Sequence, residues 1–222
     1  MDALLRRRLM MLTGGSPTPP GELVFYDRLV FDGVAYIETD IVPGANDSFV
    51  CIFGNESQKI AQRLFMCPAA NATQVGAILN SSTSNTNRNF TTYYGASSYV
   101  GNNKTLAFSN AEFSFFLTPK RYGWGNAANT FTKGANAPTG GLVIGSNAAH
   151  SGQPFTGNCS RFRLFGSDAQ NCVAYSDFAN YTPYATLRPC TYNGEAGLWC
   201  EETSKFYGNS AGAGALTVRN NS

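Results

Sequence analysis

The chain has 222 residues and a net charge of +2, with 43% apolar and only 14% charged residues, and it carries 23 Gly, 16 Phe and 11 Tyr. So small a charge speaks against a nucleic-acid partner, which needs a concentrated basic face, and the only basic run is Arg6-Arg7-Arg8. No apolar stretch approaches the ~20 residues of a membrane span, so no membrane partner is expected either.

The first thirteen residues differ from all that follow. Leu5, Leu9 and Leu12 fall on one helical face, Asp2 can cap the start and Gly14 can end it. So short a helix is marginal in water and needs something to dock on. Residues 1–13 are therefore read as an anchoring helix, residues 14–21 as a Gly/Pro linker, and residues 22–222 as one domain. In the anchor Leu5, Leu9 and Leu12 pack against symmetry mates, a trimer being favoured, while Arg6, Arg7 and Arg8 pair with acidic groups on a larger platform. The apolar run Leu9-Met10-Met11-Leu12 is too short for a secretion signal, so the chain is expected to stay in the cytoplasm where it is made until lysis.

From Leu23 onward the period is two. Ile37, Thr39 and Ile41 share one face, and Tyr36, Glu38 and Asp40 the other. Residues 48–54, "SFVCIFG", are apolar on both faces, as in a strand covered on both sides. Residues 111–117, 141–147 and 159–166 are further strands, and the polar stretch 80–104 is expected to be a long loop. Near the end, Leu198-Trp199-Cys200 and Lys205-Phe206-Tyr207 flank a four-residue polar connection, a hairpin pattern. No convincing second helix appears, so the sequence predicts an all-β sandwich or barrel. Cys51, Cys67, Cys159, Cys172, Cys190 and Cys200 show neither a CxxC pair nor a Cys/His cluster and are read as small buried hydrophobes.

Three stretches carry a resemblance: "YDRLVFDGVAYIETDIVPG" (26–44), "GGLVIGSNAAHSGQPFTGNCSRFRLFGSD" (140–168) and "LRPCTYNGEAGLWCEETSKFYGNSAGAG" (187–214). They resemble concanavalin A-like, laminin-G-like jelly-roll domains of phage and prophage virion proteins and gut bacteria. The sequence departs from that pattern at Cys200, where an acidic residue is expected, and in the longer insert 169–186. The resemblance implies a jelly-roll sandwich of two antiparallel sheets. Within it the closing stretch forms a last hairpin near the N-terminal strand, with Trp199 and Phe206 in the core. The short Arg-rich leader also looks like leaders of phage-encoded members. Together these imply a non-catalytic virion structural protein (head fibre, capsid decoration or tail-associated) whose jelly roll faces outward to adhere to glycans or a host surface. A bacterial surface carbohydrate-binding module and a structural sandwich without ligand are the competing readings.

Catalysis has thin support. Glu38 and Asp40 stand two apart on one strand face, about 6.5 Å along the backbone. Laminarinase-type jelly rolls carry such a ladder with a third carboxylate, but Pro43 stands at that place here. General acid/base cleavage of a glycoside needs a second, correctly separated carboxyl, so the pair is read as a solvated strand face. His150, the single histidine, lies in a loop with no Gly-x-Ser-x-Gly elbow in the chain. Acidic residues are too sparse to name a calcium site, and no metal or cofactor is expected. Binding remains: Tyr93, Tyr94, Tyr99, Tyr122 and Trp124 sit among Asn and Gly, a composition that suits stacking on sugar rings.

Overall fold

The structure, a computed structural model, describes residues 21–55, 62–69, 72–81, 88–95, 97–100, 112–125, 127–146 and 154–221. The leader 1–13, the linker up to residue 20 and His150 lie outside them. In chain order the strands are β1 (Leu23–Phe25), β2 (Arg28–Asp32), β3 (Ile37–Glu38), β4 (Ser48–Asn55), β5 (Gln62–Ala69), β6 (Ala72–Ser81), β7 (Arg88–Tyr94), β8 (Ser97–Val100) and β9 (Glu112–Leu117). They continue with β10 (Arg121–Trp124), β11 (Ala127–Thr130), β12 (Val143–Ile144), β13 (Thr156–Phe165), β14 (Ala185–Tyr192), β15 (Glu195–Cys200), β16 (Lys205–Tyr207) and β17 (Leu216–Arg219). Two short 3-10 helices, Ser167–Asn171 and Tyr175–Asn180, separate β13 from β14.

The strands make two antiparallel sheets. The larger runs β11-β10-β9-β4-β13-β14-β15-β16, with β1 on β14, β2 on β13 and β17 on β2; the smaller runs β3-β12-β5-β6-β7-β8. Both are amphipathic by the alternation of their strands, and their apolar faces meet in one core. Phe65 of the small sheet is its hub. Its ring stacks on Phe49 at 5.4 Å and meets Phe162 edge-on at 5.0 Å, both from the large sheet. Four of the six cysteines, Cys51, Cys67, Cys159 and Cys200, fill gaps in this core, and all six are free thiols.

The double-sided apolar pattern of β4 has a second partner. Phe49, Cys51 and Phe53 point into the main core, while Val50 points out and joins Phe116, Phe165, Ala169, Cys172 and Phe178 in a separate cluster. The 3-10 segment thus roofs part of the outer face of the large sheet, and Phe178 packs on Phe165 at 5.0 Å and Phe116 at 5.8 Å. Gly145, just after β12, has φ +87, and a Cβ there would stand 2.8 Å from the Phe31 ring, so the turn needs glycine on both counts.

Two expectations are corrected. Stretch 80–104 is not all loop, because β7 and β8 lie within it, paired from Thr91↔Val100 to Tyr94↔Ser97. Its Thr and Tyr residues suit a strand, and its Asn/Ser richness hid that. The closing hairpin forms as expected, with Leu198↔Tyr207, Trp199↔Phe206 and Cys200↔Lys205. Yet Leu198, Cys200 and Tyr207 are its core residues. Alternation turns Trp199 and Phe206 to the opposite face, where Trp199 is buried as expected but outside the core between the sheets, and both rings gather around Tyr192, at 5.9 and 5.5 Å. The glycine-rich run then folds back on the flank of β3: Ser210 N–H donates to the Tyr36 carbonyl, and Glu38 N–H donates to Ser210 Oγ.

Candidate functional site

The small sheet ends at β3 and the large sheet at β16, so residues just beyond β3 stand close to β16 at one open side of the sandwich. Asp40, two residues past Glu38, uses that proximity. Lys205 Nζ donates to its Oδ2 at 2.5 Å, and the Tyr207 hydroxyl donates to its Oδ1. Lys205 also lies over the Tyr207 ring, 5.3 Å from its centroid. The ion pair joins residues 165 apart in sequence and fastens the two sheet edges to each other. Lys205, followed by Tyr207, holds the Asp40 carboxyl below the usual carboxylate range. Burial, followed by the bond to Asp40, pushes the Tyr207 hydroxyl up.

A cleft of about 270 Å³ opens beside this pair, lined by Asp40, Ile41, Tyr184, Ala185, Thr203, Lys205 and Tyr207. Ile41 packs against the main core and gives the cleft an apolar floor. Tyr184 forms a wall with 39% of its surface exposed. Its hydroxyl donates to Asp47 Oδ2 at 2.7 Å, and Gly44 N–H steadies the same oxygen at 2.7 Å. The backbone N–H of Tyr184 is tied to the Leu164 carbonyl at 2.9 Å, so both ends of the residue are fixed. The turn between β15 and β16 is braced from behind, because Glu202 accepts from Thr186 N–H at 2.6 Å and from Thr186 Oγ1 at 2.7 Å.

Among solved structures, the chain is similar to a native heptameric SAP-like pentraxin from Limulus polyphemus. Identity is 10% and the TM-score 0.53, over 80% of this chain and 96% of the pentraxin. The fold is a concanavalin A-like jelly roll. Domains LG4-5 of the mouse laminin alpha1 chain also match, at 13% identity and TM-score 0.47, over 63% of this chain and 41% of that one. No family model matches the chain, and no curated protein does.

Within this jelly roll the five aromatic candidates do not share a surface. Tyr94 is 1% and Tyr122 4% exposed, and both flank Phe131 in the core, at 6.2 and 6.0 Å. Rings so covered offer no face to a sugar, which corrects their assignment as stacking platforms. Trp124 is half-buried against the same core. Tyr93 is half-exposed and alternates with Tyr94, so it lies on the outer face of the small sheet, opposite Gly76 and Ser98. The backbone of Tyr99 pairs with Thr92, and its side chain is outside the described residues. The anchor residues Leu5, Arg6, Arg7, Arg8, Leu9 and Leu12 lie outside them too.

Glu38 and Asp40 alternate as predicted with the buried Ile37 and Thr39. Asp40 lies on the solvated face as expected, but there it is also paired, with Lys205. Burial pushes the thiols of Cys159 and Cys190 up to about 12 and that of Cys172 up to about 11. These thiols stay protonated and poorly nucleophilic at neutral pH. Among the described residues no three His, Cys, Asp or Glu gather as metal ligands, and no helix is long and apolar enough to cross a membrane.

Sequence reasoning missed Tyr184, Thr203 and Lys205 as site residues. The first lies in the insert 169–186, directly after Pro183 and four residues past the end of the second 3-10 helix at Asn180, and a tyrosine after a turn proline was the available signal. Lys205 carried none, because its partner is brought to it only by the meeting of two sheet edges.

Proposed function

We propose that this chain is a non-catalytic adhesive module: a jelly roll displayed on a phage particle, as head fibre, capsid decoration or tail-associated protein, which adheres to glycans at a host surface. The state of Asp40 carries the reading. Held ionised by Lys205 and Tyr207, Asp40 has no proton to give as a general acid. As the one carboxyl among the described residues lining the cleft, it also lacks the second carboxyl that glycoside cleavage needs. The cleft beside it therefore suits holding a ligand without cleaving it. The arginine-rich leader and its resemblance to phage-encoded leaders support the virion setting. In that setting residues 1–13 attach the module, made in the bacterial cytoplasm, to other virion proteins. A homo-oligomer, with a trimer favoured, is the expected state, and the pentraxin of the same fold is itself heptameric.

Mass spectrometry of purified particles, a glycan array, and the Glu38→Ala/Asp40→Ala double variant test the reading together. The protein is expected in the particles, with glycan retained on the array and no sugar released by the wild type. Sugar release that disappears in the double variant overturns the non-catalytic assignment. Absence from particles, with binding retained, moves the module to a bacterial surface protein. Removing residues 1–20 is expected to leave a folded monomer that no longer enters particles, and unchanged assembly would refute the anchor.

A further inference from the structure

We propose that the cleft between the two sheet edges is a sugar subsite that takes one uncharged pyranose ring presenting two adjacent hydroxyls. The inference rests on the glycan-binding reading and assigns it a place and a ligand class.

Size sets the first limit. At about 270 Å³ the cleft falls below the roughly 300–1,000 Å³ of pockets for drug-sized ligands, so it seats a single ring with the rest of a chain outside. Shape sets the second. Ile41 and Ala185 give an apolar floor, and Tyr184 gives an aromatic wall. A pyranose has a C–H face that packs on such a ring and a rim of hydroxyls that needs polar partners. Tyr184 is suited to this because its hydroxyl is already held by Asp47 and its backbone by Leu164, so little freedom is lost when a ligand lands.

Charge sets the third limit. The charged groups lining the cleft are Asp40 and Lys205, and they neutralise each other. An anionic ring would meet the Asp40 carboxylate and a cationic one the Lys205 ammonium, whereas a neutral ring meets no net charge. The pair is still equipped to bond, since its side chains are 65% and 49% exposed. Each Asp40 oxygen accepts one hydrogen bond and has a lone pair to spare, and Lys205 has donors beyond the one it gives to Asp40. An acceptor and a donor held 2.5 Å apart match two neighbouring hydroxyls, one donating to Asp40 and the other accepting from Lys205. Thr203, on the exposed turn, adds a hydroxyl at the rim.

The test uses the full chain in solution, with methyl glycosides of glucose, galactose and mannose as neutral probes and methyl glucuronide as the charged one. Amide NMR shifts should localise to residues 40–41, 184–186 and 203–207 with at least one neutral probe. Tyr184→Ala and Asp40→Asn should each weaken that binding at least tenfold, and Tyr184→Phe, which keeps the ring, by less. Asp40→Asn keeps the shape of the side chain and so remains informative if Tyr184→Ala folds poorly. Shifts mapping elsewhere, or affinities unchanged in both variants, overturn the subsite while leaving glycan binding intact. Tighter binding of the glucuronide overturns the ligand class. Binding on a glycan array with no response to any single-ring probe overturns the one-ring assignment. Silence on both the array and the NMR panel removes the glycan reading and this subsite together.

Discussion

The jelly roll contains two apolar clusters of different origin. The main core lies between the sheets and is built by strands from both, with Phe65 touching Phe49, Phe115 and Phe162. The second lies on the outer face of the large sheet, where Phe178 and Cys172 of a non-strand segment cover Val50, Phe116 and Phe165. The first holds the sandwich together. The second seats the segment 167–184, whose last residue is the aromatic wall of the cleft. The two clusters meet across β4, β9 and β13, each of which contributes side chains to both.

The largest effect should come from emptying the centre. Phe65→Ala removes the ring that both sheets share and is expected to cost about 3–5 kcal/mol by urea unfolding. A loss below about 1 kcal/mol would mean that the sheets are held by something other than this core. Phe178→Ala tests the other side of the comparison. That residue is fully buried but packs on one face of one sheet only, so a loss of about 3 kcal/mol or less is expected. Hydrogen exchange should show amides of residues 167–184 losing protection while those of β4 and β13 keep theirs. If Phe178→Ala instead costs as much as Phe65→Ala and lowers protection everywhere, the two clusters are one cooperative unit and the distinction fails.

The same two regions divide what could be read from the sequence. Where one side of a strand is buried, a period of two is written directly into the residues. Ile37, Phe49, Phe53, Phe162, Leu164 and Leu198 all face the core as alternation requires. Even the double-sided pattern of residues 48–54 correctly announced a cover on the outer side, at Val50. The cover itself was not legible, because 3-10 turns bury a few residues with no period to detect. The site suffered most. Tyr94 and Tyr122 looked available because their neighbours are polar, yet sheet pairing folds them inward onto Phe131. Asp40 was read only as part of a solvated face and Lys205 only as part of a hairpin, and the meeting of two sheet edges makes them a pair. The short closing hairpin was legible in register but not in facing, since its aromatic Trp199 and Phe206 were credited to the core that Leu198 and Tyr207 occupy.

The smallest predicted effect concerns that pair, and it separates a tie between sheets from a site for ligand. Both side chains are about half exposed or more, so solvent screens their attraction, and surface ion pairs of this kind contribute about 0–1 kcal/mol. Asp40 has its folded-state pKa depressed below the ordinary 3.8. Whatever stability it confers is therefore fully present above that ordinary value and is lost as the pH falls through the lower folded one. Asp40→Asn should melt slightly below the wild type at pH 7, and the gap should close on acidification below about pH 4. Added salt at pH 7 should narrow it as well, because the pair is open to solvent. A gap that widens in acid would reverse the sign and show that the carboxylate is strained where it sits. A cost well above 1 kcal/mol at pH 7 would make the pair a structural clasp, and its loss would then disturb ligand binding through the fold. A small, acid-closing gap beside a tenfold loss of sugar binding would place Asp40 at the ligand, with the two clusters left to hold the protein together.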